Sequence, residues 1–320
     1  MDDLKRLGEA LGGPEWVQGP GGNVSVKEGE TLYVKASGKR LRDMGLPGAY
    51  AEVPIPDALL ALAGDAAADQ RTFSRAPRPS LETYFHAIGA TVVAHTHAIG
   101  ALLVACSSAQ RPEGVLHVPY ERPGRSLGVL VQKALSGARE GAVLLESHGL
   151  IVYAETVDAA IERSFALDRA CRVAFPGLGS FADLVNAPYT ASVLEGGGVF
   201  TRLPNRKVEK ARYLTPDSVV FASVSRVRSL EAPEILAKEA LAAFGRPVVL
   251  VADDGSRVQC ARNADELGQA REVALAHDFV EDALASRGDA RYLPDDEPPK
   301  IVGMPSEQYR LALTRSDSPC

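Results

Sequence analysis

The sequence predicts a mixed α/β protein. Three observations carry that reading. Runs of β-branched and apolar residues alternate with segments of helical period along the chain. A hydrophobic share of 46% is enough to build a packed core. A glycine run, Glu195-Gly196-Gly197-Gly198, separates a first such pattern from a second. With 320 residues the chain exceeds the usual single domain, and the expected division is residues 1–200 and a small α/β appendage over 201–320.

Taken in order, Asp3 to Leu11 suits a short helix. The turn-rich Gly19-Pro20-Gly21-Gly22-Asn23 leads into a hairpin with Val24 and Val26 on one arm and Leu32 and Val34 on the other, turning at Glu28-Gly29-Glu30. Ser37-Gly38 ends the second arm. Pro56 to Ala63 is the next helix, started by its proline. Pro77-Arg78-Pro79 forces an extended lead-in, after which Ser80 is positioned to cap a helix from Leu81 to about Gly89. Thr91 to His97 is a strand and Ala98 to Ser107 a short apolar helix. Val115 to Tyr120 is a strand, Ser126 to Ser136 a helix and Ala142 to Glu146 a buried strand. His148-Gly149 interrupts that strand, and Leu150 to Tyr153 resumes it. Val157 to Phe175 is a long amphipathic helix.

In the second pattern Ser218 to Val224 reads as a strand, Ala232 to Phe244 as a helix and Pro247 to Ala252 as a strand. Asp254-Gly255 then turns into Arg257 to Cys260. Ala264 to Ala285 and Pro305 to Leu313 close the chain as helices. This half holds one histidine, His277, and no cluster of catalytic groups.

Composition excludes several classes. A formal charge of −6 without a long run of one sign argues against a nucleic-acid surface as the main function. Met1 to Glu9 lacks the apolar core of a signal peptide, and the longest apolar stretch, Ala98 to Cys106, is too short to span a bilayer. Cys106, Cys171, Cys260 and Cys320 form no CxxC pair; the first three suit packing as small hydrophobes, and Cys320 sits in a tail. A reducing, cytoplasmic setting is expected.

The chemistry lies in the histidines. On a strand, His95 and His97 face the same side with Cα atoms about 6–7 Å apart, close enough for both imidazoles to reach one metal. Ordinary hydrogen bonding at a strand end is the competing reading. His148, in Glu146-Ser147-His148-Gly149, offers a third ligand, or else a surface histidine on a bulge. Three protein ligands with a position left open is the catalytic pattern of zinc, whereas structural sites are closed. Glu82 is either a first-turn acid favoured by the helix dipole or a carboxylate held near the metal as base or exchangeable ligand. His86, one turn later, either packs or orients Glu82. Gly21-Gly22-Asn23 and Ser37-Gly38 are turns of the kind that can present N–H groups to an anion.

The ordered set carries more than its parts. Gly22-Asn23-Val24-Ser25-Val26-Lys27, Ala36-Ser37-Gly38 and Pro79-Ser80-Leu81-Glu82-Thr83 with His86 come first. His95-Thr96-His97, Pro119-Tyr120 with Pro123-Gly124, and Ser147-His148-Gly149-Leu150 follow. In motif, order and spacing this resembles the class II aldolase/adducin family, fuculose-phosphate and rhamnulose-phosphate aldolases among it, over about residues 1–200. The resemblance implies a three-layer αβα fold around a largely antiparallel sheet, in a homo-oligomer, commonly a tetramer. It implies that His95, His97 and His148 hold a divalent metal, usually Zn2+, and that Glu82 is the acid/base carboxylate and can also bind the metal. It implies that Asn23, Ser37, Gly38 and Ser80 hold the phosphate end of a small-molecule substrate. Two departures stand out: Leu81 replaces a second serine of sugar-phosphate members, and the family's proton-donor tyrosine has no clear match.

The implied reaction is reversible aldol cleavage of a small sugar phosphate or related hydroxy-ketone through a metal-stabilised enediolate. Epimerases, dehydratases and decarboxylases of the family use the same kind of site. A non-enzymatic, adducin-like interaction module is the remaining alternative, but such members lose metal ligands that this chain keeps.

Overall fold

A computed structural model of the chain describes residues 2–309. The chain divides into two compact units, residues 1–179 with 283–291 and residues 180–282 with 292–320. The expected mixed α/β fold is present, with a largely antiparallel sheet flanked by helices.

The first unit runs α1 (Asp2–Leu11), β1 (Asn23–Glu28), β2 (Thr31–Lys35), β3 (Tyr50–Pro54), α2 (Ile55–Ala63), α3 (Ala66–Phe73), α4 (Thr83–His86) and β4 (Val92–Thr96). It continues with α5 (Ile99–Ala105), β5 (Leu116–Val118), α6 (Arg125–Leu135), β6 (Gly141–Leu145), β7 (Gly149–Ala154) and α7 (Val157–Arg172). Seven strands form one sheet in the order β3-β2-β1-β4-β7-β6-β5, antiparallel except for the β5–β6 edge. Strand alternation sorts the core onto two faces. Val24, Val26, Val92 and Ala94 pack with Leu4, Leu7 and Leu11 of α1 and with Val157 and Ala160 of α7. Val93, Val143, Ile151 and Tyr153 face the other way, toward Leu62 of α2, Phe85 of α4 and Leu127 and Val131 of α6. The unit is thus helix, sheet, helix, and His95, two residues after Val93, lies on the α4 side.

The helix expected from Leu81 to Gly89 with a Ser80 cap is a correction. Only Thr83–His86 is helical, Glu82 occupies the N-cap position, and no side chain caps it. The Ser80 hydroxyl instead accepts the Glu82 N–H at 3.3 Å in a tight turn, and Gly89, at φ +73°, ends the segment. A Cβ at Gly89 would run into the Tyr153 ring, so the chain needs glycine there. A single turn has no stability of its own. This one is held from the sheet: Tyr153 Oη donates to the Phe85 carbonyl at 2.9 Å, and Lys27 Nζ donates to the carbonyls of Ile88 and Ala90 at 2.7 and 2.8 Å.

The second unit contains α8 (Phe181–Asn186), β8 (Ser192–Val193), β9 (Val199–Leu203), α9 (Pro216–Phe221), β10 (Val224–Val227) and α10 (Pro233–Phe244). Then come β11 (Val248–Ala252), β12 (Arg257–Ala261), α11 (Ala264–Ala285) and α12 (Glu297–Val302). Its sheet has the order β10-β11-β12-β9-β8, parallel only at β10–β11. Gly196–Gly198 forms the turn between β8 and β9. The strand expected over Ser218 to Val224 is a second correction, because Pro216–Phe221 is helical. Thr215 caps it in a reciprocal capping box with Ser218, and Pro216 sits in the first turn. Those start signals outweigh the strand preference of Val219 and Val220. Residues 305–309 are helical, while the rest of the expected helix to Leu313, and Cys320, lie outside the described residues. Cys106, Cys171 and Cys260 are buried free thiols, as expected. No helix of the described residues is long and apolar enough to cross a membrane.

Val258 and Cys260 of β12 enter the core beside α10, so Arg257 and Gln259 point to the opposite face. There Arg257 pairs with both carboxylate oxygens of Asp278 on α11, at 3.0 and 2.5 Å, with its side chain only 5% exposed. Removing one partner of such a pair strands the other charge in the interior. Asp278→Ala is therefore expected to destabilise this unit by about 3 kcal/mol, read as a lowered urea midpoint. An unchanged midpoint would show that the pair contributes nothing net.

Candidate metal centre

Each histidine arrives by a different local device. His95 is the fourth residue of β4, paired with Asn23 of β1 on one side and Ile151 of β7 on the other. His97 follows the strand end directly. The helix after it, α5, is tied to α7, because the buried Asp168 carboxylate accepts the Gly100 N–H at 2.7 Å and pairs with Arg172 at 2.7 Å. His148 sits between Ser147, whose φ is +53°, and Gly149, the first residue of β7. A Cβ at Gly149 would collide with the Thr96 carbonyl oxygen and would lie 3.1 Å from the His97 ring and 3.3 Å from the His95 ring. The glycine predicted to interrupt the strand is thus what lets the His148 turn close on the other two histidines. Gly149→Ala should cost about 2 kcal/mol of stability through overpacking and should displace the imidazoles. A variant with wild-type thermal stability would show that the backbone yields freely there.

Among the described residues, His95, His97 and His148 present ring nitrogens within 4.8 Å of one another, all three side chains buried. His97 Nε2 and His95 Nε2 are 3.1 Å apart. Glu82 joins them: its Oε1 is 3.2 Å from His148 Nε2 and its Oε2 is 3.6 Å from His95 Nε2. His95 Nδ1 donates to the Leu150 carbonyl at 3.1 Å, which leaves Nε2 as the lone-pair nitrogen facing the cluster. Burial first, then the neighbouring His148 and His97, push the His95 imidazole well below its ordinary range and favour the neutral ring, despite the opposing Glu82 charge. For Glu82, burial works against ionisation. The neighbouring His95 and His148 imidazoles, with the hydrogen-bonding contacts of His148 and Asn23, more than reverse this and hold the carboxyl well below the usual range.

The donor set fits a divalent cation. Three imidazole nitrogens converge within 4.8 Å of one another, of which His95 Nε2 presents a lone pair. The buried Glu82 Oε1 receives no well-formed hydrogen bond. A cation among these four groups would satisfy all of them, with nitrogen and oxygen donors of the kind zinc accepts.

Of the remaining predicted residues, Asn23 and Ser80 contact Glu82. Asn23 Nδ2 donates to Ser80 Oγ at 3.0 Å and to Glu82 Oε2 at 2.7 Å. Ser37 and Gly38 lie on the turn after Ala36, whose pairing with Pro79 sets that turn beside the segment leading to Ser80. Ser37 N–H donates to the Arg78 carbonyl at 2.8 Å. Two participants were missed in the sequence. Ser25 Oγ is 2.7 Å from His86 Nδ1, and His86 Nε2 is hydrogen-bonded to Asn23 Oδ1. Lys35, buried at the end of β2, donates to the carbonyls of Pro20 and Lys39 at 2.8 and 2.7 Å and so joins the two glycine-containing turns. A buried polar position inside an otherwise apolar strand was the available signal for both. Burial pushes the His86 imidazole down to about 3, so it is neutral.

A helix–sheet–helix unit with three buried histidines and a glutamate clustered at its centre is an α/β domain able to hold a metal ion. A family model described as the class II aldolase and adducin N-terminal domain matches residues 2–175, more than half of the chain, and the chain belongs to that family. Among solved structures, the N-terminal class II aldolase domain of a conserved protein from Thermoplasma acidophilum is 25% identical, with a TM-score of 0.47, over 54% of this chain and 92% of that one. L-fuculose-1-phosphate aldolase from Thermus thermophilus is 19% identical, with a TM-score of 0.40, over 54% and 91%. A sugar-phosphate aldolase from Thermotoga maritima is 16% identical, with a TM-score of 0.38, over 54% and 93%. No curated protein matches the chain.

Proposed function

We propose that the protein is a metal-dependent aldolase that cleaves and forms a carbon–carbon bond in a small sugar phosphate or related hydroxy-ketone. The carrying observation is the convergence of three histidine nitrogens and the Glu82 carboxylate in one buried cluster. His95, His97 and His148 would hold the ion, most simply Zn2+, and Glu82 would be its exchangeable neighbour. When bound, the ion supplies a Lewis acid that stabilises the negative charge left on the substrate as the carbon–carbon bond breaks.

Everything else falls to the protein. Glu82 Oε2 is fixed by Asn23, which leaves Oε1, 3.2 Å from His148 Nε2, as the oxygen that takes a proton from the donor carbon and returns it. Asn23, Ser37, Gly38 and Ser80 are assigned to the anionic end of the substrate. Both Asn23 amide protons are already committed to Ser80 and Glu82, so contact through Asn23 would require one of those bonds to exchange. Residues 1–200 form the catalytic part on this reading and 201–320 an accessory one. The assembly is expected to be a homo-oligomer, as a mass by light scattering would reveal. The reading is tested by incubating zinc-loaded protein with a panel of ketose phosphates and their unphosphorylated parents. Release of an aldehyde with a three-carbon ketone supports it. A product retaining every carbon, epimerised or dehydrated, would assign the same site to another reaction of the family.

A further inference from the structure

A chain of buried hydrogen bonds runs behind Glu82. Ser25 lies on β1, His86 on α4 and Asn23 at the start of β1, and all three are buried. The proton positions along the chain are determined. Asn23 presents one amide atom to Glu82 Oε2 and Ser80 Oγ and the other to His86 Nε2. A carboxylate only accepts, so the atom facing it must be the amide nitrogen, and the carbonyl oxygen faces His86. His86 Nε2 must then carry the hydrogen. In the neutral ring Nδ1 is bare, and Ser25 Oγ–H, 2.7 Å away, is its donor. Each buried member is satisfied in only this arrangement, and a buried network of this kind is stiff because leaving any member unpaired is costly.

We infer that His86 is a positioning residue for Glu82: held as its Nε2–H tautomer by Ser25, it locks the Asn23 amide so that Nδ2 fixes Glu82 Oε2 and leaves Oε1 turned to the histidine cluster. The inference rests on the reading of Glu82 as the proton-carrying group beside a metal. It deepens that reading by naming what aims the carboxylate. The alternative is that His86 only fills space, since its ring stacks on Phe85 with centroids 4.9 Å apart.

Three variants separate the two. His86→Leu keeps bulk and removes the donor. His86→Gln places an amide nitrogen near the position of imidazole Nε2 and restores it. Ser25→Ala leaves His86 in place and removes the hydroxyl that selects its tautomer. In wild type labelled with 15N-histidine, the His86 nitrogens should give the shifts of a neutral Nε2–H ring; an Nδ1–H ring would overturn the inference. By chelator competition, zinc should bind His86→Leu about tenfold or more weaker than wild type, and His86→Gln within about threefold of wild type. Turnover should follow the same order, with kcat lowered and KM little changed. Equal losses in the leucine and glutamine variants, or none in either, would reduce His86 to packing. Should His86→Leu fail to fold, Ser25→Ala carries the test through a smaller loss in the same direction and a changed tautomer signal. Unaltered affinity and signal in Ser25→Ala would overturn the inference. A wild-type protein that binds no metal would instead defeat the aldolase reading, while the 15N shifts still decide the relay.

Discussion

Glu82→Gln is expected to retain its metal and to lose proton exchange at the donor carbon of the substrate by about 10²–10⁴-fold, the usual contribution of a positioned general base. The geometry favours a clean result. A glutamine carbonyl can take the place of Oε2 and accept from Asn23 Nδ2, now at 2.7 Å. Its amide then falls where Oε1 stands, an atom that receives no well-formed hydrogen bond. The Asn23 contact is therefore kept, while the oxygen 3.2 Å from His148 Nε2 is replaced by an amide that cannot accept a proton. Deuterium wash-in at the donor carbon, followed by NMR on zinc-loaded protein, reads the effect directly. Exchange at the wild-type rate would remove Glu82 from this role and move the search for the base elsewhere.

The second large effect is expected at His148. His148→Ala removes one of the three converging nitrogens and the group 3.2 Å from Glu82 Oε1. Loss of a partner that merely orients a ligand typically costs about 10–100-fold in metal affinity, so loss of a ligand itself should cost more. Turnover should fall below detection and should not return with modest excess zinc. The circular dichroism spectrum should be unchanged, because β6 and β7 are held by their own pairing from Gly141–Tyr153 to Leu145–Gly149. An active His148→Ala enzyme would mean that two histidines and Glu82 suffice, and His148 would revert to a residue of the turn.

Much of the unit that carries the site was readable from the chain. The i, i+2 spacing of His95 and His97 in an apolar run specifies rings on one side; β4 carries His95 and ends at Thr96, one residue before His97, yet the two Nε2 atoms lie 3.1 Å apart. The glycine after His148 signalled a close approach, which is the contact with Thr96 and the His97 ring. What could not be read is what depends on distant partners. Whether Ser80 caps a helix depends on Tyr153 and Lys27, 73 and 53 residues away, gripping the segment from the sheet. Ser25 and His86 are 61 positions apart, and nothing local marks them as a pair. At Thr215 the cause was different, because Thr215, Pro216 and Ser218 are local start signals that outweigh two valines. A strand there neglects chemistry that neighbouring residues already specify.

The most direct test is elemental analysis of metal per chain, on wild type and on His97→Ala prepared identically. Close to one divalent ion per wild-type chain is expected, and its loss from the variant. Absence of metal from both, even after reconstitution with zinc and with other divalent ions, would contradict it, because the converging histidines would then be a buried cluster with no ion to hold.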